Sequence, residues 1–141
     1  MTALLALDVG DARVGVAMSE SGVLATPLPA ISRRGKTACL DALQRLVEQH
    51  GVARVIIGLP LLESGVEGEQ AAKTRAFARS LARRLPAIEI LFADERHTTG
   101  HAREILGRRA APGTTDSVAA ALLLQDHLNH AAPPAPPPPT E

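Results

Sequence analysis

Aromatic side chains are nearly missing from this 141-residue chain, which has no Trp, no Tyr and only two Phe, Phe77 and Phe92. Gripping a single strand by stacking its bases on side chains is therefore excluded, and any nucleic acid would be met through its backbone and shape. Both Phe are expected in the core. Cysteine is limited to Cys39, so no internal disulfide forms, which fits a reducing cytosol. Its place in a helical apolar pattern makes it a small core residue. No apolar run approaches the roughly eighteen residues of a membrane span, because Leu4–Leu7 stops at Asp8. No basic region precedes that run, so no signal peptide is expected. A cytoplasmic protein with no membrane partner is the expectation. Net charge is zero, which argues against strong nonspecific attachment to polyanions. Lysine is scarce too: Lys36 and Lys73 are the only two, and the other cations are arginines, which suit two-point contact with phosphate.

The length suits one domain with room for a sizeable core. Ala3 to Val9 reads as a buried strand and Gly10-Asp11-Ala12 as a turn. Val14, Val16 and Met18 alternate with small or polar residues in a second strand. Leu24 to Ile31 is a third, which Pro27 and Pro29 assign to a sheet edge. Lys36 to His50 is a helix with Leu40, Leu43 and Val47 inward and Asp41, Arg45 and Glu48 outward, closed by Gly51. Val55 to Leu59 is a buried strand, and 60–68 a loop. Glu69 to Leu85 is a helix buried through Thr74, Phe77, Ala78, Leu81 and Leu85. Ile88 to Ala93 is a strand, Thr99 to Leu106 a short helix, Gly107 to Gly113 a loop. Asp116 to Leu128 is the last helix, buried through Ala120, Leu123, Leu124 and Leu128. The pattern predicts an α/β fold with one mixed five-stranded sheet. An antiparallel set of three strands leads into alternating helices and parallel strands. Residues 131–141 hold six of the eleven prolines and read as a disordered, extended tail on a domain spanning 1–130.

Acidic residues stand where core strands end. Asp8 closes Leu4-Leu5-Ala6-Leu7-Asp8, and Asp94-Glu95 follows the run to Ala93. Asp116 opens the final helix, where the helix dipole favours an anion. A carboxylate at the end of a core strand must be paired or bind a cation. Three of them suggest one site for divalent ions, which prefer carboxylate oxygens and can drive phosphodiester hydrolysis as a pair. Gly10 and Gly15 remove bulk near Asp8 and let a backbone approach. Thr115 and Ser117 are candidates to orient Asp116. Each acid has a plainer reading: Asp8 as a turn residue, Asp116 as a helix cap, Asp94 and Glu95 as surface partners of Arg96. Neighbours on a strand point to opposite faces, so the residues alone do not choose between Asp94 and Glu95.

Four blocks in order resemble the YqgF/RuvX family: Leu5-Ala6-Leu7-Asp8-Val9-Gly10 through Arg13-Val14-Gly15-Val16-Ala17, then Val55-Ile56-Ile57-Gly58-Leu59-Pro60, then Asp94-Glu95-Arg96-His97-Thr98-Thr99, then Thr115-Asp116-Ser117-Val118-Ala119-Ala120. The family is described as pre-16S ribosomal RNA nucleases or Holliday junction resolvases. The resemblance covers Ala3 to about Leu128. It implies a ribonuclease H-like fold, with Asp8, Glu95 and Asp116 as catalytic, metal-binding acids holding Mg2+ or Mn2+. It selects Glu95 over Asp94. It implies precursor ribosomal RNA or branched DNA as the partner. The segment 107–114 and the proline tail lie outside its blocks.

Arg75, Arg79 and Arg83 recur every four residues on the second helix, where a phosphate partner would relieve their mutual repulsion; a solvated face is the plainer reading. Arg33, Arg34, Lys36, Arg108 and Arg109 are read as loop residues and further backbone contacts. His97 and His101 have zinc-like spacing but no third ligand. A sugar-kinase or actin-type phosphotransferase needs a second domain for which there is no length, and no Gly-x-x-x-x-Gly-Lys loop is present. A nucleic-acid-binding module without catalysis is the other alternative.

Overall fold

The run Ala3–Val9 becomes strand β1, and its alternation decides the layout. In the computed structural model, which describes residues 3–95, 108, 111 and 113–130, β1 is followed by β2 (Arg13–Ser19), β3 (Thr26–Ser32), α1 (Lys36–His50), β4 (Val52–Leu59), α2 (Glu69–Arg84) and β5 (Glu89–Asp94). The 3-10 turn Thr115–Ser117 then leads into α3 (Val118–His130). The described strands form one mixed sheet in the order β3-β2-β1-β4-β5. β2 pairs antiparallel with β1 and β3, while β4 pairs parallel with β1 and β5. The carboxyl ends of β1, β4 and β5 therefore share one edge, with β1 at the centre.

Side chains of β1 divide between two cores, because strand neighbours point to opposite faces. Leu5 and Leu7 join Val14, Val16, Val55 and Ile57 against α1 and α2. Ala6 joins Ala17, Ile56 and the α3 residues Ala120, Leu123 and Leu124 on the other face. Small residues on that second face let α3 lie close to the sheet. Asp8, two residues beyond Ala6, belongs to the α3 face.

Most sequence expectations agree with this architecture. Helix α1 has the expected limits, and Gly51 ends it in the left-handed conformation at φ 62°. Pro27 and Pro29 sit in the edge strand β3, where a missing N–H costs least. Several details differ. Strand β3 starts at Thr26 rather than Leu24, which is 65% exposed. Strand β4 starts at Val52 rather than Val55, because Val52 pairs with Ala3. The last helix starts at Val118, and Asp116 lies in the 3-10 turn before it. Phe92 is not core: it is 38% exposed, since β5 is an edge strand, and Arg75 lies over its ring, 4.8 Å from the centroid. Arg108 has helical rather than loop backbone, in keeping with arginine's high helix propensity. The expected helix 99–106, His97, His101, Arg109 and the tail 131–141 lie outside the described residues.

Candidate active site at the carboxyl end of the sheet

Two glycines flank Asp8, one on each neighbouring strand. On β2, Gly15 is the direct partner of Asp8. On β4, the register Leu7↔Ile57 continued by one step sets Asp8 alongside Gly58. Paired residues share a face, so both glycines open space on the α3 side. A Cβ at Gly15 would lie 2.0 Å from the Asp116 carbonyl oxygen, and a Cβ at Gly58 would lie 2.3 Å from Glu95 Oε1. Each glycine thus admits one of the two remote acids to a position beside Asp8. Parallel strands are about 4.8 Å apart, so the Glu95 carboxylate over Gly58 is next to Asp8.

This geometry separates Asp94 from Glu95. Asp94 pairs with Leu59, one residue beyond Gly58, and its side chain is directed by strand alternation to the α1/α2 face. Glu95 lies on the face of Asp8. Among the described residues Asp8 makes no hydrogen bond or ion pair, although it is half-buried.

Asp116 is oriented differently. Its Oδ2 accepts a hydrogen bond from Arg13 Nε at 2.7 Å, and the two side chains are 50% and 57% exposed. Among the described residues no three His, Cys, Asp or Glu are grouped closely enough to hold an ion. The donor set therefore consists of two acids side by side and a third whose backbone is beside them and whose carboxylate is on an arginine. A surface pair of this exposure is worth about 0–1 kcal/mol, too little to keep a divalent cation from taking the carboxylate.

Ser117 does not orient Asp116, as the sequence suggested. Buried completely, its hydroxyl accepts the Val16 N–H at 2.9 Å and donates to the Leu28 carbonyl at 2.5 Å. It fastens the turn carrying Asp116 to β2 and β3.

A family model described as RuvX, Holliday junction resolvase, matches residues 2–130. The chain belongs to the RuvX family. A relative from Streptomyces avermitilis is 41% identical over 130 residues, covering 88% of this chain and 83% of that one. Another from Ruegeria pomeroyi is 42% identical over 135 residues, covering 91% and 86%. Both are named "Putative pre-16S rRNA nuclease". Among solved structures, Thermus thermophilus RuvC in complex with a Holliday junction has a TM-score of 0.61 at 12% identity, over 92% of this chain and 95% of that one. The fowlpox virus resolvase, also solved with junction DNA, has a TM-score of 0.56 at 8% identity, over 91% and 97%. At such identities the likeness is one of fold, and the fold is ribonuclease H-like.

In this RuvX chain the α2 arginines run away from the acids. Helix α2 starts beside the β1–β2 turn, where Gln70 meets Asp11, and heads down the β5 side. Arg75 holds both Glu67 carboxylate oxygens, and the hydrogen bond lowers the Glu67 pKa while raising that of Arg75. Arg75 and Arg79 line a shallow cavity with Ile90 and Phe92. Arg83 lies in the last turn of α2, and Arg84 is bonded to Asp41. Burial pushes the Cys39 thiol up, which suits an inert core cysteine.

Sequence reasoning missed Gly58 and Arg13. The signal for Gly58 was available: a glycine inside a β-branched strand marks a close approach. Replacing it with alanine is expected to displace the Glu95 side chain, which can rotate away. Urea unfolding should then shift by less than about 1 kcal/mol, since Ala costs less backbone entropy than Gly. Cleavage should fall about a hundredfold, as expected for an acid misplaced by about 1 Å. Unchanged turnover in Gly58→Ala would detach Glu95 from the site.

Proposed function

We propose that this chain is a metal-dependent phosphodiester hydrolase that processes the 5′ end of precursor 16S ribosomal RNA. The observation that carries the reading is Asp8, without a hydrogen bond or ion pair among the described residues, with the Glu95 carboxylate over Gly58 on the same sheet face. The names of its relatives support that substrate, while the description of the RuvX family, Holliday junction resolvase, supports nucleic-acid cleavage and names branched DNA as the alternative. A cytoplasmic location goes with that substrate, and among the described residues no helix is long and apolar enough to cross a membrane.

Asp8, Glu95 and Asp116 would hold Mg2+ or Mn2+, hard cations matched to carboxylate oxygens. A bound pair of such ions stabilises charge on the attacking and leaving oxygens of an in-line displacement. The chain's own residues prepare the place. Asp8 is fixed at the centre of the sheet edge, and Ser117 pins the turn of Asp116. Arg13, hydrogen-bonded to Asp116, would be free to meet a phosphate if a cation took that carboxylate. Arg75, Arg79, Arg83, Arg108 and Arg109 are outlying contacts for a longer or branched substrate.

The test offers precursor RNA carrying its 5′ leader, and a synthetic four-way DNA junction, with Mg2+, Mn2+ or EDTA. Cutting of the precursor that EDTA abolishes is expected. More efficient cutting of the junction would transfer the function to branched DNA. Binding of both without cutting under either ion would leave only a binding module.

A further inference from the structure

Lys36 and Lys73, the only lysines of the chain, line one cavity of about 460 Å³ together with Arg33 and Asp11. The protein has no net charge, yet here three cations face one anion. The walls are the β1–β2 turn, the start of α1 and the first turns of α2. We propose that this cleft binds the sugar-phosphate backbone of the nucleic-acid strand that leads to the acidic site. The inference rests on the nuclease reading for the strand's identity, but not for its chemistry.

Arg33 is prepared for the role. Its Nη1 donates to the Gly10 carbonyl at 2.8 Å, its backbone N–H donates to the Ala12 carbonyl at 2.9 Å, and its guanidinium lies 5.3 Å from the Phe77 ring centroid. These contacts fix the planar group while leaving further N–H donors for phosphate oxygens. Gly10 is two residues from Asp8, so the β1–β2 turn joins the cleft, on the α1/α2 face, to the strand end that carries the acid. Arg33 also lines the neighbouring cavity of about 450 Å³, whose other cations are Arg13 and Arg34. Lys73, Lys36, Arg33, Arg34 and Arg13 thus make a band ending at Asp116, which Arg13 bonds. The pairings of Lys73 are loose, at 3.8 Å to Asp11 and 3.9 Å to Glu69, and such exposed pairs yield readily to a phosphate.

The test measures fluorescence anisotropy of a short labelled single-stranded oligoribonucleotide and its deoxy counterpart, with the full chain in EDTA and increasing salt. In Lys36→Met/Lys73→Met the slope of log K against log salt should shrink by about 1.4, at about 0.7 per lost phosphate contact. Affinity at low salt should fall about tenfold, the effect of two unit charges roughly 6 Å away in water. Asp11→Asn should instead tighten binding about threefold, as for one unit charge roughly 7 Å away, a gain that misfolding does not produce. Equal changes with both oligonucleotides are expected. An unchanged slope in the lysine double variant, a loss with RNA alone, or no tightening in Asp11→Asn overturns the proposal. So does a full loss of slope in Arg79→Met/Arg83→Met instead. If wild type cuts nothing while these shifts appear, the nuclease reading fails and the cleft stands. If wild type cuts and the shifts are absent, the reverse holds.

Discussion

Asp8→Asn is expected to lose more than about a hundredfold in cleavage rate while keeping its fold. Partners that merely support a metal ligand cost about 10–100-fold when removed, so a ligand itself should cost at least the upper end. Asparagine has nearly the shape of aspartate but no charge to offer a divalent ion. The fold should not suffer, because among the described residues Asp8 makes no hydrogen bond or ion pair that would be broken. Removing a half-buried, unpartnered carboxylate relieves desolvation, so the unfolding midpoint should hold or rise slightly. Rate assays beside thermal unfolding give both readings. A variant that still cuts at the wild-type rate would take Asp8 out of the chemistry.

Gly15→Ala should damage stability and activity together, unlike Gly58→Ala. At Gly58 the new methyl meets a side chain that can turn aside. At Gly15 it meets backbone: 2.0 Å to the Asp116 oxygen, 2.9 Å to its carbonyl carbon and 3.1 Å to Ser117 Cα. The 3-10 turn must lift from β2, and the Ser117 hydroxyl then loses its bonds to Val16 and Leu28. Overpacking costs about 1–3 kcal/mol, and each buried polar group left unsatisfied costs about 1–3 kcal/mol more. A loss of about 3 kcal/mol lowers Tm by about 10 °C in a chain of this size. Cleavage should fall as well, since Asp116 moves with the turn. A wild-type Tm in Gly15→Ala would mean that the turn does not rest on the sheet as described.

Much of the architecture was legible along the chain. Helix α1 could be read to its last residue because its apolar positions recur at helical spacing and Gly51 stops it. The edge position of β3 followed from Pro27 and Pro29. The use of Gly15 for close backbone approach was also visible beside Asp8. The failures were of another kind. Phe92 was expected inside because it is aromatic, but an edge strand has too little cover to bury it. The α2 arginines stood out by their spacing. Spacing says nothing of Glu67, which occupies Arg75, nor of the direction in which the helix leaves the site.

The order of residues alone determined the alternation that sends Leu5 and Leu7 one way and Asp8 the other. It also determined the succession of strands and helices, and the acids worth watching, Asp8, Asp116 and the pair Asp94-Glu95. These are local properties, set by backbone geometry and side-chain periodicity over a few residues. Folding in three dimensions decided the rest: that Glu95 rather than Asp94 reaches over Gly58, that Arg13 takes Asp116, and that both lysines meet in one cleft. Those outcomes depend on which strands become neighbours and in what register. Register is settled by packing the whole core at once, which no local stretch encodes.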